Sequence, residues 1–170
     1  ERLNPAWISQ WVKNPRDLRP TAHMPQMLKS LPESEWEQSA NDIAAFLSAN
    51  SKSKKIGGDS TLGKVLYGDL GCASCHAFKD DRLGPQVISL KKAAFKFKAG
   101  GMAAFIANPQ KFNHQSAMPN FGLSNDESQN LEAFIRSQLK APLSLTVNGD
   151  ATRGKILFTD LNCQSCHSLK

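Results

Sequence analysis

The sequence predicts an all-α fold, and three observations carry that reading. Apolar residues recur at helical spacing, helix-start signals stand ahead of them, and strand-like alternation is absent over any useful length. The 170 residues, 40% hydrophobic and 21% charged, suit one or two small globular domains. No uninterrupted apolar run approaches the roughly 18 residues that a membrane helix needs. The stretch "ERLNPAWISQWVKNP" has no charged-then-apolar signal pattern, so an export signal or anchor would lie outside these residues.

Taken in order, a first helix is expected around Trp7 to Val12, followed by Asn14-Pro15 and Met24-Pro25. Ser34 and Glu37 then stand at capping-box spacing, ahead of a stripe made by Trp36, Ala40, Ile43 and Leu47. Leu62, Val65, Leu66 and Leu70 recur at i, i+3, i+4 and i+8, which makes a helix leading into "GCASCH". A lysine-rich loop with Lys91, Lys92, Lys96 and Lys98 comes next. After Asn108-Pro109 and Met118-Pro119, Ser124 and Glu127 repeat the capping-box spacing, and Leu131, Phe134, Ile135 and Leu139 share one helical face. Ile156, Leu157 and Leu161 restate most of the Leu62 stripe before "NCQSCH".

An internal repeat organises these pieces. "GDSTLGKVLYGDLGCASCHAF", from Gly58, and "GDATRGKILFTDLNCQSCHSL", from Gly149, agree at 12 of 21 positions without a gap, at an offset of 91. "NPRDLRPTAHMPQM", from Asn14, matches "NPQKFNHQSAMPNF", from Asn108, at an offset of 94, so Met24-Pro25 aligns with Met118-Pro119. The order along the chain is Met half, Cys half, Met half, Cys half.

All 4 cysteines lie in the two Cys-x-x-Cys-His motifs, which argues for attachment chemistry and against a disulfide-stapled fold. Two thiols a turn apart suit the two vinyl groups of a haem, and the adjoining imidazole reaches the iron from the same side. Cys72 and Cys75 with His76, and Cys163 and Cys166 with His167, are therefore haem-attachment candidates. A zinc site fits less well, since each motif offers three ligands and only His23 and His114 remain. A thioredoxin-like site lacks a βαβ setting. For the second axial ligand, Met118 and Met24 recur at matched places, each before a proline, whereas His23 aligns with Ala117 and not with His114. The thioether is a known haem ligand, so methionine is preferred at both places, with His114 and His23 as rivals and Met102 and Met27 as core filler.

From about Lys55 to Ala141 the chain resembles a complete class I cytochrome c domain. Gly63 and Tyr67 resemble the glycine and aromatic where the family's first helix crosses its last, with Phe134 as partner. Leu83-Gly84-Pro85 resembles the loop whose proline carbonyl accepts a hydrogen bond from the proximal histidine, which here implies Pro85 as the group orienting His76. Met118 falls at the family's distal-ligand position. "GKVLYGDLGCASCH", "NPAWISQWVKNPRDLRPTAHMP" and "DIAAFL" also resemble tandem multihaem cytochromes c of planctomycete-type bacteria.

The implied architecture is tandem class I domains, each a few short helices around a covalently bound haem. Residues 1–50 read as the Met-ligand half of one domain, 51–55 as a linker, 56–141 as a complete domain and 142–170 as the start of another. Two arrangements satisfy this division. In an excerpt from a longer tandem protein, Met24 serves a third haem held upstream; in a chain that closes on itself, Met24 serves the iron held by His167. The excerpt is preferred, because Leu169 and Lys170 supply no equivalent of the loop that would steady His167.

The implied cofactor is haem c, two per chain, in an electron relay with no substrate site of its own. The alternatives are an electron-delivery module of a larger oxidoreductase and a dihaem peroxidase-like enzyme. The formal charge of +6 favours acidic redox proteins as partners, beside neighbouring cytochrome domains of the same polypeptide and a membrane-bound or larger respiratory complex. Nucleic acid is not expected, because Lys52, Lys54, Lys55 and the later lysines stand in no recognisable reading motif. Covalent haem assembly implies an extracytoplasmic location, the periplasm or its equivalent.

Overall fold

A computed structural model describes residues 2–49, 57–79, 87–139 and 146–169. The fold is all-α, as the sequence predicts. The helices are α1 (Pro5–Lys13), α2 (Pro15–Leu18), α3 (Trp36–Ser48), α4 (Ser60–Asp69), α5 (Ala93–Lys96), α6 (Gly101–Ala107), α7 (Pro109–Phe112), α8 (Asn125–Leu139) and α9 (Ala151–Asp160). Strand structure among the described residues is confined to one short parallel pair, β1 (His76–Ala77) beside β2 (Ile88–Ser89).

Helix starts follow local chemistry. α1, α2 and α7 carry proline in the first turn, where the missing N–H costs nothing. α4 and α9 are capped by Asp59 and Asp150, whose carboxylates accept from the next turn's N–H groups. The capping box expected at Ser124 and Glu127 is present: Ser124 N donates to Glu127 Oε2 over 2.8 Å, and Glu127 N to Ser124 Oγ over 3.2 Å. The one expected at Ser34 and Glu37 is not. A 3-10 turn over Glu33–Glu35 leads into α3 without a side-chain cap, and Glu37 pairs with Lys13.

Two compact units result: Leu3–Ser51 with Leu145–Lys170, and Lys52–Ser144 with Arg2. The first and last segments, expected as halves of two separate domains, are thus brought into one unit. The expected linker at 51–55 lies outside the described residues.

Each unit is built on one close helix crossing. In the second unit α4 meets α8 at Gly63, where an added Cβ would stand 1.9 Å from the Asn130 carbonyl oxygen. Tyr67 packs one turn later against Phe134, ring centroids 5.3 Å apart. In the first unit α9 meets α3 at Gly154, where a Cβ would stand 2.0 Å from the Asp42 carbonyl oxygen, and Phe158 lies 5.7 Å from Phe46. The buried residues of α4 are therefore Gly63 and Tyr67, and not the Leu62 stripe; Leu62 and Val65 are each 55% exposed and Ile156 56%. A backbone-close crossing is centred on its glycine, which turns the larger aliphatic residues aside.

Candidate haem site

α4 ends in a left-handed residue, Gly71 at φ 64°, and the chain turns through Cys72–Ser74 into β1. The repeat does the same at Asn162, φ 55°, before Cys163–Ser165. Asparagine is among the few residues besides glycine that tolerate this region, so the turn survives the Gly-to-Asn change. In both turns the second cysteine N donates to the first cysteine's carbonyl, Cys75 to Cys72 over 3.2 Å and Cys166 to Cys163 over 3.3 Å. Cys72 and Cys163 are half-buried, whereas Cys75 and Cys166 are exposed. Burial pushes the Cys72 and Cys163 thiols up.

In the second unit Cys72 opens onto an apolar cavity of about 90 Å³. Tyr67, Cys72 and His76 line one flank, Met118 comes from the loop before α8, and Phe97, Met102, Phe105, Leu131 and Ile135 supply most of the rest. His76 and Met118 thus share one cavity, from segments 42 residues apart in sequence. His114, the rival ligand, is exposed and is not part of the lining. Met102, expected as core filler, is 3% exposed and lines the cavity as well.

The orientation of His76 comes from β2. Its Nδ1 lies 3.3 Å from the Ile88 carbonyl oxygen, and the tautomer that donates there leaves Nε2 with a free lone pair for iron. Burial pushes the His76 pKa below its ordinary value, and the bond to Ile88 partly opposes this. Pro85, expected in the orienting role, lies outside the described residues. His167, in the other unit, is exposed.

Three groups that hold the cavity were not read from the sequence. Gln110 donates through Nε2 to the Met118 carbonyl over 2.8 Å, fixing the loop that carries Met118. Glu132, 1% exposed, accepts from the N–H groups of Gly100 at 3.1 Å and Ala103 at 2.9 Å. Arg136, 5% exposed, bonds Glu132 at 2.8 Å and donates to the Phe97 carbonyl at 2.7 Å. The pair is buried but fully engaged, so it pins the Phe97–Ala103 wall. Only its i, i+4 spacing on α8 was visible, a pattern that ordinarily marks an exposed pair. Lys98 is 7% exposed and so does not belong to an exposed basic face.

The donor set suits haem c: two thiols for tethering, an imidazole with its second nitrogen engaged, a thioether and an apolar lining. Among the described residues no three His, Cys, Asp or Glu side chains converge as a metal-holding group. Residues 60–139 match the family model described as Cytochrome c. Searches of curated proteins and of solved structures returned no match. Residues 60–139 are therefore a cytochrome c domain of the class I type, a family whose covalently bound haem c serves electron transfer.

Proposed function

We propose that the chain is a multihaem c-type cytochrome that relays single electrons through His/Met-ligated haems. The observation that carries this is the shared apolar cavity of His76 and Met118 beside Cys72. Cys72 and Cys75, with His76 and Met118, would hold the cofactor, and the second motif, Cys163 and Cys166 with His167, would hold another. Haem c, when bound, supplies a one-electron iron couple. A site with His76 and Met118 both engaged would take up no substrate, which would leave the protein to exclude water and set the potential. The chain would pass single electrons from a donor redox protein to an acceptor, with no atom transferred. Acidic redox proteins fit the net charge of +6. We place the protein outside the cytoplasmic membrane, where c-type haem is assembled; among the described residues no helix is long and apolar enough to cross a membrane.

Carbon monoxide tests the reading. The ferrous protein should bind it slowly or not at all, and Met118→Ala should open one iron to it and lower that centre's potential, while His114→Ala does neither. Rapid binding to the unaltered cytochrome c domain would support a catalytic haem instead.

A further inference from the structure

The unit formed by the two ends of the chain repeats the cavity-bearing unit in reverse chain order. Its helix crossing is the same in kind, Gly154 on Asp42 and Phe158 on Phe46 for Gly63 on Asn130 and Tyr67 on Phe134. The entry to the helix is repeated as well: Asp150 N donates to Asp42 Oδ1 over 2.8 Å, as Asp59 N does to Asn130 Oδ1 over 2.6 Å. Ile8, Val12, Ile43, Phe158 and Cys163 pack in one apolar cluster. The sequence repeat and the register of α3 on α8 match these positions to Met102, Ile106, Leu131, Tyr67 and Cys72, all lining residues of the first cavity.

At the ligand loop the two units differ in one donor. Trp11 Nε1 donates to Met24 Sδ over 3.0 Å, and the Trp11 ring is held by stacking on Trp7, centroids 5.1 Å apart. The residue matched to Trp11 is Phe105, which has no hydrogen to donate.

We infer that the two chain ends build a second haem centre in permuted order, tethered by Cys163 and Cys166 and ligated by His167 and Met24, with Trp11 as a positioning residue that raises its potential. This rests on the function proposed above. A thioether sulfur has two lone pairs; the indole N–H engages one and leaves the other for iron. The bond fixes a flexible side chain and withdraws electron density from the sulfur, so the ligand supports ferric iron less well and the ferrous form is favoured. The Met118 centre has no such bond from Phe105, so the two centres differ in potential and the electron rests preferentially at the one built from the chain ends.

The test uses the full chain matured with haem, with carbon monoxide as probe of ferrous iron and a redox titration of both centres. Without substitution, carbon monoxide should be excluded; binding to about half of the haem would mean that Met24 closes no site and would overturn the inference. Met24→Ala should open one centre, Met118→Ala the other. If Met118→Ala opens a haem and Met24→Ala does not, the permuted centre is wrong and the proposed function stands; if neither opens one, the proposed function fails. Met24→His should close the site again at a lower potential, which a merely structural role for Met24 would not produce. Trp11→Phe, which copies Phe105, should lower one potential and leave the other and the carbon monoxide resistance unchanged. A shift in both potentials, or in neither, would remove Trp11 from the role.

Discussion

Gly63 and Gly154 show how little room a residue has where two helix backbones meet. The atom that a Cβ at Gly63 would strike is the Asn130 carbonyl oxygen, part of the α8 backbone and unable to swing aside, and the added Cβ would also stand 2.8 Å from the Phe134 Cβ. Gly63→Ala must therefore spread α4 from α8 and disturb Tyr67, which lines the cavity. The expected cost is about 1–3 kcal/mol, the usual range for overpacking, or a fall of about 4–8 °C in melting temperature per kcal/mol in a domain of this size. Gly154→Ala should act alike on the other unit. Thermal unfolding of the holoprotein checks both, and an unchanged midpoint would mean that the crossing is looser than its geometry implies. This constraint was legible in the sequence through the repeat, since Gly63 and Gly154 fall at the same place in both copies. Ile88 was not legible, because a backbone carbonyl can come from any residue type and the sequence says nothing of which one reaches His76.

The helix-level differences between the two units are coordinated changes. In the first unit α3 carries a buried acid, Asp42, which receives the Arg153 guanidinium over 2.8 Å. In the second unit the matched residues are Asn130 and Leu62: where the acid is replaced by an amide, the base is replaced by an aliphatic residue. A buried carboxylate needs a partner, whereas an amide needs only hydrogen bonds. Arg153→Leu alone should thus destabilise the first unit by about 1–3 kcal/mol, the order of a lost hydrogen bond to a charged group, discounted because Arg153 is 41% exposed. Asp42→Asn together with Arg153→Leu reproduces the second unit's pair and should recover most of that loss, which a double-mutant cycle in denaturant would measure. Strict additivity would refute the coupling. The sequence repeat aligned Arg153 with Leu62 but gave no sign of this pairing, because Asp42 lies 111 residues away and is brought near only by folding. The Leu62 stripe misled for the opposite reason. Its spacing is helical, but periodicity cannot say which face a helix turns inward when a glycine crossing, and not the bulk of the apolar residues, decides the packing.

At the scale of the whole molecule, the charge of the protein with its cofactors sets how it meets a partner. The chain carries +6, and two haems as proposed add four propionates against two ferric centres of about one positive charge each, so the oxidised protein holds about +4 and the reduced protein about +2. The sign survives haem binding, which is why an acidic partner is expected and why oxidised protein should be captured faster than reduced. Exposed Lys91 and Lys92 can contribute to such a field, whereas buried Lys98 cannot serve as a contact. Surface charges are screened over about 30 Å at 0.01 M salt and about 8 Å at 0.15 M. Electron transfer from the reduced protein to an acidic one-electron acceptor should therefore slow by tenfold or more across that range, as steered encounters do. Stopped-flow rates at several salt concentrations provide the measurement, with Lys91→Glu and Lys92→Glu as the second arm. If these residues lie in the contact, the double variant should lower the rate at low salt and flatten its salt dependence by more than any shift in the haem potentials accounts for. A rate that ignores salt in the unaltered protein would mean that encounter is steered by something other than net charge, and the acidic-partner expectation would fall with it.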